Sequence, residues 1–152
     1  MGSGPKPFGV VAESVPEMLA ELSRLPLDFM GFHIFSGSQN LREEAIMEAQ
    51  TKTFELAYRL AEHAPAPLRW LNIGGGLGIP YFPGEQRLDL APIAANLAPL
   101  LETASKKLPG AEIVMELGRY LVAEAGIYVC EVVDRKDSRG EAFLITNGGL
   151  HH

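Results

Sequence analysis

Three short apolar runs, each closed by small, polar or ionisable residues, limit what this chain can fold into. They are Phe29–Phe35 before Ser36–Gln39, Trp70–Ile73 before Gly74–Gly78, and Ile113–Met115 before Glu116–Arg119. Apolar runs of this length read as parallel strands buried on both faces, because crossover helices cover such a sheet. Parallel neighbours need a crossover of a dozen residues or more, and the spacing of the runs leaves room for one each time. Ligands of α/β folds bind where the carboxyl ends of the strands open into loops, so the three closing clusters would gather on one rim.

The intervening segments agree. Ser14 is placed to cap a helix, with Pro16 early in it and Glu17 at the capping-box position, and the helix is predicted to reach about Arg24. The first strand is predicted over 28–35. A long helix follows over 41–63, stopped by Pro65-Ala66-Pro67. Then come a strand over 68–73, a proline-containing loop, a helix over 90–108 stopped by Pro109-Gly110, and a strand over 112–116. Strand alternating with helix predicts a parallel sheet. Beyond it the pattern changes: residues 126–134 and 141–146 are β-rich and flank a polar turn, Arg135–Gly140, which is a hairpin signal. The expected division is a part-barrel over 1–124 and the start of a β-rich C-terminal domain over 125–152. Three barrel-type strands and one hairpin make an incomplete architecture, so the chain reads as a piece of a larger protein.

Composition excludes several functions. At 152 residues the chain is long enough for one core, and a formal charge of -6 argues against nucleic acid and against anionic membranes. No apolar stretch reaches the roughly 20 residues of a membrane span, and the start carries no apolar signal region. The single Cys130 cannot form an internal disulfide, which fits a cytoplasmic location; its strand-like surroundings predict a buried structural thiol. No Cys/His set has metal-ligand spacing, and His151-His152 is an adjacent terminal pair, so no metal is expected.

The closing clusters carry the chemistry. Gly74-Gly75-Gly76-Leu77-Gly78 permits positive φ and lets backbone N–H groups converge on an anion. A Rossmann fingerprint fails because Ile79 occupies its third glycine position and Pro80 blocks an immediate helix; a merely flexible turn is the plain alternative. Ser36–Gln39 adds hydroxyl and backbone donors. His33 within its apolar strand reads first as a hydrogen-bonded core residue, and Phe35, one pleat repeat on, could lie against a planar ring. Glu116 at a strand end is costly without a partner, which a protonated heterocyclic nitrogen or, more plainly, Arg119 could supply. Arg119 suits a phosphate or a carboxylate. Together these groups fit a phosphorylated cofactor with a basic ring.

Gly31–Gln39, Asn72–Tyr81, Glu116–Gly126 and Asn147–His152 resemble, in wording, order and spacing, the fold-type III pyridoxal-phosphate decarboxylases. That group contains the diaminopimelate, ornithine and arginine decarboxylases and, more distantly, alanine racemase. Pro5–Gly9 with Phe32–Phe35 looks most like a subgroup associated with exosortase or carrier-protein pathways. The resemblance implies a TIM-like (β/α)8 barrel, alanine-racemase-like, followed by a β-rich domain, and pyridoxal 5′-phosphate as cofactor. It implies that Ser38, Gly74, Gly75, Gly76 and Arg119 hold the phosphate, that Gly118 is also cofactor-binding, that Glu116 pairs with the pyridine nitrogen, and that His33 or Phe35 lies against the ring. The implied parent protein is a homodimer that removes the α-carboxylate of an amino-acid-type substrate as carbon dioxide.

The chain departs from the family pattern at Phe35, where histidine is frequent, at Asn72 and Asn147, where aspartate is common, and at Leu117 in place of proline. None of its lysines (Lys6, Lys52, Lys106, Lys107, Lys136) is predicted at the end of a barrel strand, so the Schiff-base lysine of the family has no counterpart here. The stretch alone is therefore expected to be inactive. Two alternatives stand beside this reading: a non-catalytic part-barrel that assembles with a copy or another fragment, and a racemase or cofactor-carrier relative.

Overall fold

The computed structural model describes residues 8–149; the Gly/Pro-rich opening with Lys6, and the terminal His151-His152, lie outside the described residues. Two compact units divide between residues 121 and 122.

The first unit begins with a short 3-10 turn, Ala12–Ser14, and α1, Val15–Leu22. It continues with β1, Gly31–His33; α2, Glu43–Ala61; β2, Trp70–Gly75; α3, Leu90–Lys107; and β3, Glu112–Glu116. A single turn, α4, Arg119–Val122, spans the division. The three strands form one parallel sheet in the order β1-β2-β3. The chain is thus an α/β protein with a parallel sheet and crossover helices, plus a small antiparallel pair in the second unit.

Local chemistry explains most of the boundaries. α3 starts at Asp89, whose carboxylate accepts the Ala91 N–H at 2.9 Å. Ser14 does not cap α1 as expected: its backbone is already helical and its hydroxyl makes no capping bond, so no capping box forms. β1 is much shorter than predicted. Pairing with β2 runs from Gly31↔Trp70 to His33↔Asn72. It is extended at one end by Ile34 N–H donating to the Asn72 carbonyl at 2.9 Å, and at the other by the Met30 carbonyl accepting from Arg69 and Trp70 N–H at 2.9 and 3.1 Å. Residues 28–30 lie outside the strand, and with Leu25, Leu27, Pro65 and Pro67 they line an open cleft of about 760 Å³ at the amino ends of the strands.

Only the central strand β2 is buried on both faces as the continuous apolar runs suggested; β1 and β3 are not. Phe32, Ile34, Leu71, Ile73, Ile113 and Met115 point to the helix side and join the core around Phe54, Leu19, Ala57 and Leu60. Alternation therefore sends His33, Asn72, Val114 and Glu116 to the other face. A smaller cluster, Ile46, Leu77 and Ile93 with Leu117 and Tyr120 against it, packs the loops at the carboxyl ends of β2 and β3.

The second unit is a hairpin of β4, Val132–Ser138, and β5, Glu141–Thr146. Its turn is only Arg139-Gly140, with φ of 53° and 87°, the two-residue geometry that matches strand twist. Arg135, Lys136 and Asp137, expected in the turn, instead pair with Leu144, Phe143 and Ala142. Residues 126–131 are outside the ladder, and Cys130 is exposed, not buried: no strand covers it in the described residues. Among the described residues no helix is long and apolar enough to cross a membrane.

Candidate functional site

Three loops meet at the carboxyl rim of the sheet. The glycine turn leaves β2 directly, because Gly75 is the last residue of that strand and pairs in register with Glu116 at the end of β3. Close approach dictates glycine here: a Cβ on Gly75 would sit 1.6 Å from the Glu116 carbonyl oxygen. Gly74 has φ +71° and faces the Ile34 carbonyl, where a Cβ would come to 2.9 Å. Sequence reasoning assigned the triplet to anion binding alone. Its tight packing between β1 and β3 is a second and independent reason for it.

The Ser36–Gln39 loop is tied to the same turn. Asn40 N–H donates to the Gly76 carbonyl and the Asn40 carbonyl accepts from Gly78 N–H, both at 2.9 Å. The Gln39 side-chain amide, on a residue with φ 53°, donates to the Ile79 carbonyl. Ser38 is exposed in this loop, and Ser36 Oγ lies 3.2 Å from Thr53 Oγ1 on α2. Sequence reasoning missed the anchoring done by Asn40, Gln39 and Thr53, which depends on contacts between residues far apart in the chain.

Glu116 is the centre of a polar chain on the open face. Its Oε1 accepts a hydrogen bond from Asn72 Nδ2 at 2.9 Å, and its Oε2 lies 3.3 Å from His33 Nε2. Asn72 Oδ1 accepts the Gly74 N–H at 2.9 Å. Asn72 is buried, 7% exposed, whereas the His33 and Glu116 side chains are 46% and 58% exposed. Two expectations change accordingly. His33 is not a core residue but a rim residue paired with a carboxylate, and the partners of Glu116 are His33 and Asn72, not Arg119.

Arg119 begins α4 after Gly118, whose φ is +50°. Its guanidinium donates to the Tyr81 hydroxyl and lies 5.9 Å from that ring's centroid. Tyr81 belongs to the loop that continues the glycine turn, and its N–H, with that of Phe82, is held by the Glu85 carboxylate. The only clue to Tyr81 in the sequence was its place in the segment Asn72–Tyr81. Phe35 lies beyond the β1 ladder and is 66% exposed, an aromatic ring free of packing at this rim. The rim thus combines a carboxylate with both oxygens held, a glycine turn, serine hydroxyls and an arginine. The cleft described above is at the opposite pole of the strands. Among the described residues no cluster of metal-ligating side chains occurs.

A family model described as pyridoxal-dependent decarboxylase, pyridoxal binding domain, matches residues 2–123. The L-glutamyl-[BtrI acyl-carrier protein] decarboxylase of Niallia circulans is 35% identical over 154 aligned residues, which cover 100% of this chain and 36% of that protein. A diaminopimelate decarboxylase of Thermoplasma acidophilum is 36% identical over 104 residues, covering 68% of this chain and 25% of the relative. The crystal structure of the Helicobacter pylori diaminopimelate decarboxylase complexed with L-lysine superposes with a TM-score of 0.66 at 29% identity. That superposition covers 94% of this chain and 34% of the other. The chain spans about a third of the length of such relatives.

Proposed function

The chain belongs to the pyridoxal-dependent decarboxylases, matching their pyridoxal-binding domain, and from that premise we propose that its carboxyl rim holds pyridoxal 5′-phosphate for α-decarboxylation of an amino-acid-type substrate. One observation carries the reading: Glu116 stands on the rim formed by the glycine turn, in register with Gly75, with its carboxylate held by Asn72 and His33. The donor set fits the cofactor at both of its charged ends. Gly75, Gly76, Gly118, Ser38 and Arg119 would hold the phosphate, the arginine by charge and the others by N–H or O–H. Gly74 gives its N–H to Asn72, so its part is to shape the turn.

Glu116 would accept the proton of the pyridine nitrogen and keep it there, and His33 and Asn72 would aim that carboxylate. Phe35 offers an aromatic face to a flat ring. When bound, the cofactor supplies an electron sink for the pair left behind as the substrate α-carboxylate departs as carbon dioxide. The described lysines belong to α2, the end of α3 and β4, and none closes a strand of the parallel sheet, so none of them is assigned a covalent role. We therefore read this stretch as a cofactor-holding part of a decarboxylase that does not turn over by itself, with residues 125–152 leading into a β-rich domain.

Pyridoxamine 5′-phosphate is the suitable probe, since it lacks the aldehyde that would trap surface lysines. Titrated into the chain, it should quench the fluorescence of Trp70 saturably, and Glu116→Ala and Arg119→Ala should each weaken binding. Absence of saturable quenching, or indifference to both substitutions, would overturn the reading. A second reading rests on the open strands: among the described residues β1 and β3 are each paired on one side only. A part-barrel with two such edges would associate with another copy, and this would appear as a mass that rises with concentration.

A further inference from the structure

We propose that Asn72 is a positioning residue, whose neutral side-chain amide locks the Glu116 carboxylate to the glycine turn. The inference rests on the cofactor reading of Glu116 but concerns a link that exists without ligand. Backbone N–H of Gly74 can only donate, so the side-chain oxygen of Asn72 must face it. That choice leaves Nδ2, a donor, aimed at Glu116 Oε1. Both ends of the amide are therefore assigned by chemistry, and at 7% exposure the group has little water to turn to. With His33 on the other carboxylate oxygen, the chain Gly74–Asn72–Glu116–His33 crosses all three strands.

Aspartate, common at this position in the family this chain resembles, would behave differently here. It could still accept the Gly74 N–H, but it would set a second carboxylate at hydrogen-bond distance from Glu116. Two such groups must share a proton or move apart. Asn72→Asp thus breaks one half of the link and spares the other, whereas Asn72→Ala removes both.

NMR of the ligand-free chain tests the link directly. Glu116→Ala alters an exposed side chain and should leave the fold intact, yet it should shift the Asn72 side-chain NH₂ resonances. Asn72→Asp should shift the Glu116 side-chain carboxyl carbon and leave the Gly74 amide resonance close to its original position. With pyridoxamine 5′-phosphate as probe, each single substitution should weaken binding about tenfold, and the double variant Asn72→Asp/Glu116→Ala should be no weaker than the worse single one. Unmoved Asn72 resonances in Glu116→Ala, or multiplicative losses in the double variant, would overturn the proposal. Should Asn72→Asp not fold, the Glu116→Ala spectrum still decides. Failure of the unsubstituted chain to bind the probe overturns the cofactor reading instead, and the resonances then judge the link alone.

Discussion

Ile113-Val114-Met115 in β3 and Phe143-Leu144-Ile145 in β5 are equally apolar triplets, yet the first is half-buried while the second is exposed by 50%, 61% and 42%. The difference lies in what each strand has beside it. Residues 113 and 115 pack against the core shared by α1, α2 and the end of α3, and β2 bonds one edge of their strand. Among the described residues β5 pairs with β4 alone, and two strands enclose nothing. Among the described residues every buried apolar residue falls between Val15 and Leu108. An apolar run, then, specifies a strand; helices crossing above it make it a core.

Substitutions at matched positions in the two units should separate sharply. The largest effects belong to the parallel sheet. Gly75→Ala forces a Cβ to within 1.6 Å of the Glu116 carbonyl, whereas Gly126→Ala meets nothing within 4 Å. The first should lower stability by more than about 3 kcal/mol in denaturant unfolding, and the second should change it by less than about 1 kcal/mol. Equal effects would break the contrast.

Next comes truncation of apolar side chains. Leu71→Ala empties a site with no exposure and should cost about 3–5 kcal/mol. Phe143→Ala, half exposed on the hairpin, should cost less than about 1 kcal/mol. The midpoint of thermal unfolding followed by Trp70 fluorescence reads both.

The smallest effect sharpens the picture within the first unit. The Tyr58 hydroxyl is buried without a hydrogen-bond partner among the described residues, and burial pushes its pKa above the ordinary tyrosine value. The folded state therefore keeps its proton when the unfolded state begins to lose it, so this group's contribution to stability declines as pH rises past about 10. Tyr58→Phe should remove that alkaline decline and add about 0.5–1 kcal/mol at neutral pH. A loss of stability at pH 7 would show that the Lys107 ammonium, 4.5 Å from the ring centroid, depends on the phenol.

Much of the architecture was legible beforehand. β3 appears over the predicted residues, and the helices end shortly before Pro65 and Pro109, which lack the N–H that another turn would need, although α3 accommodates Pro99 within it. The same local logic failed where partners decide. β1 stops at His33 since β2 alone pairs with it, and Cys130, in a strand-like stretch, finds no ladder. At the rim, the residue types were readable but the wiring was not. Glu116 was visible as a carboxylate in need of a partner, while the bond from Asn72, 44 positions away, could not be seen along the chain.

Residue order alone settled the alternation of strand and helix, the loops that close each strand, and the family to which the motifs point, since these depend on periodicity, breakers and wording. Tertiary structure decided which face of each strand is polar, why Gly75 can bear no side chain, and that Asn72 and His33, not Arg119, hold Glu116. Those outcomes turn on register between segments some 40 residues apart. A one-residue slip in that register would send His33 and Asn72 into the helix layer.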